Sequence, residues 1–118
     1  MADELTVTAG LAYSNGGVSL SKSATDLVTV SANYVVHQIH TVTTIGEALP
    51  LGSVTTPGYC LIKNTDAANF ILVGNSGDTP VIRVEAGELA VFRFSQAITP
   101  AAIADTANVA IEYYLISD

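Results

Sequence analysis

A chain of 118 residues holds one two-layer core, which at this size buries about two-thirds of the surface that the unfolded chain exposes, and leaves no room for a second. Only 13% of the residues are charged, against roughly 25% in an average soluble domain, while 49% are hydrophobic, so apolar surface is left over for burial between subunits. Four Lys and Arg against eleven Asp and Glu give a formal charge of −7 with no basic cluster, which argues against direct binding of nucleic acid; polar residues or Gly interrupt every run well before the ~20 apolar residues of a membrane span, which argues against a membrane partner.

The acidic start Met1-Ala2-Asp3-Glu4 lacks the basic and apolar regions of a secretion signal, so a cytoplasmic chain beginning here is expected. Leu5, Val7, Ala9, Leu11 and Tyr13 alternate with Thr6, Thr8, Gly10 and Ala12, the period of a strand over 4–13. Asn15-Gly16-Gly17 turns the chain into a hairpin, because Asn and Gly accept the positive φ that tight hairpin turns require. The return arm is expected over 18–22, a break at Ser23-Ala24-Thr25-Asp26, and further strands over 27–32 and 34–44. The apolar parity changes between Val36 and Ile39, which predicts a bulge or a break near Asn33 to Gln38.

A Pro- and Gly-containing loop over 49–58 divides the chain into near-equal halves. Strands are then expected over 58–64, 69–74, 80–85, 88–94 and 108–117, rich in β-branched and aromatic residues and separated by Asn, Asp, Gly and Pro. Ala86-Gly87 fits a tight turn. Thr99-Pro100-Ala101-Ala102-Ile103 is expected to form at most one short helical turn near 99–104, since Pro is tolerated at the first helical position. The sum is an all-β protein: a single antiparallel β-sandwich domain over 1–118, jelly-roll-like, with eight or nine strands. Several late strands are apolar on both parities, so one face packs the core and the other needs a cover; a symmetric homo-oligomer supplies it.

The chemistry-bearing residues are sparse. His37 and His40 stand three apart, which on a strand sends them to opposite faces and gives no shared metal site. The loops over 64–69 and 75–78 carry oxygen donors, but turn-forming Asx chemistry explains them without calcium. Glu85 and Glu88 flank a hairpin corner, where solvated charge is ordinary. Cys60, the only cysteine, reads as a buried and inert thiol. Arg83 and Arg93 are expected on adjacent strands near Glu85, Glu88 and Glu112, in ion pairs within a sheet or across a subunit boundary. No catalytic, cofactor or metal residues are assigned and no enzyme is expected. The expected interface set is Leu5, Val7, Leu11, Arg83, Arg93, Phe92 and Tyr113, with residues 1–13 as a strand that bridges subunits.

From residue 49 onward the order of motifs resembles small virion proteins of tailed bacteriophages: Pro50-Leu51-Gly52, Gly58-Tyr59, Lys63-Asn64-Thr65-Asp66, Asn69-Phe70-Ile71-Leu72-Val73-Gly74, Ala86-Gly87-Glu88, Phe92-Arg93-Phe94 and Glu112-Tyr113-Tyr114-Leu115. The resemblance implies a β-sandwich, trimeric in many members, that decorates or cements the capsid by bridging copies of the major capsid protein. It further implies residence on the virion surface after assembly in the host cytoplasm. The alternative it leaves open is a tail, neck or baseplate component, or a carbohydrate-binding module that recognises the host.

Overall fold

In a computed structural model, which describes residues 4–30 and 33–118, the chain divides into two units, residues 1–31 and 32–118. Both are built from antiparallel strands. They are held together by different means.

The first unit is a two-stranded ribbon of β1 (Leu5–Asn15) and β2 (Val18–Val28), paired without a break from Asn15↔Val18 to Leu5↔Val28. Gly16 (φ 56°) and Gly17 (φ 85°) form the two-residue turn, and two successive positive φ angles match the right-handed twist of the arms. The break expected at residues 23–26 does not occur. Thr25 lies opposite Thr8, with their hydroxyls 3.2 Å apart, and Ala24 opposite Ala9, so cross-strand pairing overrides the local turn preference of Ser and Asp. The tail of the expected 27–32 strand at 31–32 lies outside the described residues.

Among the described residues, the second unit contains eight strands: β3 (Val35–Val42), β4 (Glu47–Ala48), β5 (Pro57–Asn64), β6 (Ile71–Asn75), β7 (Ile82–Val84), β8 (Leu89–Arg93), β9 (Pro100–Ala104) and β10 (Val109–Ser117). The first sheet has the order β3-β10-β5-β8 and the second β4-β9-β6-β7. The chain changes sheet at every connection except β6 to β7, which gives the interleaved strand order of a jelly roll. The sandwich expected from the sequence is present, and its strands all come from this unit.

Its core lies between the sheets. Val42, Val109, Ile111, Tyr113, Leu115, Cys60, Ile62 and Phe94 from the first sheet and its margin meet Ile71, Val73, Val84, Ala102 and Ala104 from the second. Alternation along β10 is complete: Val109, Ile111, Tyr113, Leu115 and Ser117 are buried, and the residues between them are not. Asn64 is fully buried yet satisfied, because its Nδ2 donates to the carbonyls of Asn69 (3.0 Å) and Val84 (3.1 Å) and its Oδ1 accepts from the Asp66 amide (2.9 Å). It ties the end of β5 to a strand of the opposite sheet.

Two local expectations fail for identifiable reasons, and a third is decided between its alternatives. Residues 99–104 form β9 and not a helical turn: Pro100, with no amide to donate, occupies the first strand position, and β9 is paired on both sides, by β4 and β6. Of the bulge or break expected near Asn33 to Gln38, the break is what occurs: Asn33 and Tyr34 lie outside any strand, and β3 then pairs with β10 in unbroken register from Val35 to Val42, with Ile39 facing outward and 74% exposed. The turn at Ala86-Gly87 is present, with the Glu88 amide bonded to the Glu85 carbonyl (3.0 Å) and Gly87 at φ 79°, but it joins β7 and β8 in different sheets. Arg83 and Arg93 are therefore not on adjacent strands.

Candidate interaction surfaces

Residues opposite one another in an antiparallel pair share a face, so the ribbon's two faces follow from its register. One carries Leu5, Val7, Ala9, Leu11, Tyr13 and Asn15 together with Val28, Asp26, Ala24, Lys22, Leu20 and Val18; the other is mostly Thr, Ser, Gly and Ala. Leu5 and Val7 are half-buried, but Leu11 is 70% exposed, and Tyr13, Val18 and Leu20 are also open. A two-stranded ribbon in water is marginal at best, and this one leaves most of its apolar face unburied.

The outer face of the first sheet is the second apolar surface. Register places His37, Tyr114, Leu61 and Val91 in one row and Ile39, Glu112, Lys63 and Leu89 in the next, with Val35 beside Ile116. Val35, Ile39 and Leu89 are each more than 60% exposed. The polar members of this face are satisfied locally. The His37 ring stacks on Tyr114 (centroids 4.1 Å apart, planes 5° apart), and its Nε2 lies 2.7 Å from Glu112 Oε2. Lys63 Nζ donates to the Gly87 carbonyl. What remains open is hydrocarbon and ring surface.

Two expected interface residues belong elsewhere. Tyr113 is fully buried; its hydroxyl donates to the Pro50 carbonyl (2.5 Å) and sits 2.9 Å from Gln38 Oε1. Phe92 faces the core and packs edge-on against Phe94, with centroids 5.0 Å apart. Both lie on strands whose alternate residues do reach the surface, so the sequence-based choice has the wrong parity. Arg93 stands at the rim of the first sheet, 5.4 Å above the Tyr59 ring and paired with Asp118. Hydrogen bonds from Gln96 and Arg93 hold the Asp118 carboxyl below the usual range. Arg83, on the other sheet, pairs with Glu85 and lies 3.9 Å above the Phe70 ring. Both arginines are largely exposed, and their ion pairs serve as local order, not as a source of stability.

The groups that could carry reactions are quiet. Burial pushes the Cys60 thiol up to about 12, so essentially none is thiolate near neutrality. His37 and His40 point to opposite faces of β3, as a period of two requires; His40 Nε2 is buried 3.4 Å from Glu47 Oε1 without forming a hydrogen bond. In the loop after β5, Asp66 Oδ2 accepts from the amides of Asn69 (2.7 Å) and Ala68 (3.0 Å), which lowers its pKa. Its acceptor capacity is directed to the backbone, as in an Asx turn. A groove of about 260 Å³ on the second sheet is lined by Ile45, Gly46, Gly74, Asn75, Asp78 and Ile103. Asn75 is already engaged there, donating to Asp78 Oδ2 (2.7 Å) and accepting from the Thr99 amide (2.9 Å).

Sequence reasoning missed Tyr13, Leu20, Lys22 and Asp26 on the ribbon, and Ile39, Leu61, Val91 and Tyr114 on the sheet. The signal for the ribbon was available: Val18, Leu20, Lys22, Ala24, Asp26 and Val28 keep one parity throughout. For the sheet it was not, since both parities of β5 and β10 are apolar. None of the family models, curated proteins and solved structures compared with the chain matches it.

Proposed function

We propose that this chain is a non-enzymatic structural protein of a tailed-phage virion, a capsid decoration or cement protein that stabilises the head by bridging capsid subunits. The observation that carries the reading is the pair of apolar β-surfaces, the ribbon face and the outer face of the first sheet, in a chain whose sandwich satisfies most of its polar groups internally. Contiguous exposed apolar surface marks contact sites. The motif order from Pro50 to Leu115 supports a virion setting. In this reading the outer face of the first sheet forms a homotrimer about a threefold axis, with Val35, Ile39, Leu61 and Tyr114 at the contact, and the ribbon makes contacts of its own.

The experiment is to mix purified protein with capsids that lack it and to image the particles by electron microscopy. Ordered density on the head, with occupancy reduced when residues 1–13 are deleted, is the expected result. Density at the tail tip or baseplate, or unchanged occupancy of the deletion variant, would count against it. The groove beside Ile45 and Asp78 favours a second reading, a carbohydrate-binding module in the tail. Binding to host glycans that is lost on Asp78→Ala would select it.

A further inference from the structure

Four basic residues are present in the chain, and three have partners: Lys63 on the Gly87 carbonyl, Arg83 on Glu85 and Arg93 on Asp118. The Lys22 side chain makes neither a hydrogen bond nor an ion pair among the described residues, and the same holds for the Asp26 side chain. Both sit on the apolar face of the ribbon, where an unpaired charge weakens any contact that buries it. They cannot satisfy one another. Four residues apart on one strand, they are separated by roughly 13 Å.

Their positions are symmetric. The rungs of this face run Leu5/Val28, Val7/Asp26, Ala9/Ala24, Leu11/Lys22, Tyr13/Leu20 and, next to the turn, Asn15/Val18. Asp26 and Lys22 stand one rung to either side of Ala9/Ala24. We propose that the occupant of this face is the same face of a second copy, docked about a twofold axis that passes through the Ala9/Ala24 rung and lies across the ribbon. That operation inverts the order of rungs and sets β1 on β1 and β2 on β2. Asp26 of each copy then faces Lys22 of the other, and two ion pairs form in one contact.

The apolar residues obey the same symmetry. Val7 meets Leu11, Leu5 meets Tyr13 and Val28 meets Leu20, so apolar side chains cover one another at the remaining positions from Leu5/Val28 to Tyr13/Leu20, and only the end rung Asn15/Val18 lies beyond the symmetric stretch. Small residues occupy the crossing point, where two twisted ribbons approach most closely, and larger ones fill the space where they diverge. At the spacing of about 10 Å between packed sheets, a lysine can reach an aspartate opposite it. A twofold axis along the ribbon's length fails the same test, because it sets Lys22 against Leu11 and Asp26 against Val7. Threefold clustering brings three Lys22 side chains together.

The inference rests on reading the ribbon as a contact surface and supplies its partner. Together with threefold contacts through the sandwich, twofold ribbon contacts link neighbouring trimers into a lattice, the geometry that cementing a shell requires.

The test is a charge swap in the full chain, read by sedimentation across a concentration series, with the thermal transition of the sandwich as the folding control. K22E sets a carboxylate against Asp26 of the other copy, and D26K sets an ammonium against Lys22. By symmetry each single variant spoils both pairs, so self-association should weaken roughly 10- to 100-fold. An equimolar mixture of the two variants, and the double variant K22E/D26K, should both return to the wild-type value, since each regains two opposite-charge pairs. Single variants that associate like wild type, or weakened ones that neither the mixture nor the double variant rescues, would overturn the proposal. Rescue in solution without capsid binding would instead sink the cement reading alone, and capsid binding without rescue would sink the ribbon pairing alone.

Discussion

The ribbon and the sandwich are made of the same kind of sequence and are stable for different reasons. Both consist of alternating apolar and polar residues with β-branched enrichment, and both pair in antiparallel register, unbroken in the ribbon and between β3 and β10 and shifted once between β10 and β5, at Leu115 to Ser117. In the sandwich, each inward residue of β10 meets a second sheet, and burial of whole Ile, Val, Leu and Tyr side chains contributes about 1.5–3 kcal/mol apiece. In the ribbon there is no second layer, and eleven rungs of backbone pairing stand almost alone. Alternation and pairing make a strand; stability depends on what covers it.

That contrast can be broken most forcefully in the core. Tyr113→Ala removes a fully buried ring and leaves the Pro50 carbonyl without its phenol donor. It should cost the sandwich about 3–5 kcal/mol, read as a lowered midpoint in denaturant unfolding. Asn64→Leu comes next: it strands two carbonyls and the Asp66 amide, and a loss of about 2–3 kcal/mol is expected in the same assay. A loss below about 0.5 kcal/mol from either change would mean that the inter-sheet layer is not what holds this unit.

A smaller effect separates the units by pH. Burial raises the Cys60 thiol from 9.0 and the Tyr113 hydroxyl from 10.0, each to about 12, with the neighbouring thiol adding to the shift of Tyr113. In the unfolded chain both groups ionise at their ordinary values and in the folded chain they stay protonated, so the stability they lend is complete below pH 9 and declines as pH rises towards 12. The melting temperature of the sandwich should fall from pH 9 upward, and in Cys60→Val the decline should begin nearer pH 10. An onset that is the same in both proteins would contradict this account of Cys60.

The smallest effect on the sandwich is expected from the ribbon. Leu11→Ser alters a residue that is already exposed and should shift the sandwich transition by no more than about 0.5 kcal/mol, while weakening self-association in sedimentation. A large loss of sandwich stability would show that the two units are not energetically separate.

Much of the architecture was legible in the sequence because period-two alternation and Gly-bearing turns are local signals. The hairpin at Asn15-Gly16-Gly17, the strands β5, β6, β7, β8 and β10 of the second half and the opposite directions of His37 and His40 all follow from them. What could not be read depends on pairing over distance. The run Pro100-Ala101-Ala102-Ile103 has mixed local preference and becomes a strand because β4 and β6 flank it. The assignment of Arg83 and Arg93 to different sheets is decided by topology. Phe92 and Tyr113 look like contact residues because aromatic residues are common in interfaces, yet on strands that are apolar on both parities nothing local says which parity faces inward.

The central claim is that the ribbon acquires its cover from other copies of the chain, whereas the sandwich carries its own. Hydrogen exchange of the backbone amides, measured by mass spectrometry from dilute to concentrated protein, tests it directly. The account predicts that amides of 33–118 in the paired strands are protected at every concentration, and that amides of 5–28 exchange freely in dilute solution and slow only as association proceeds. Ribbon amides protected to the same degree in dilute monomer would contradict it.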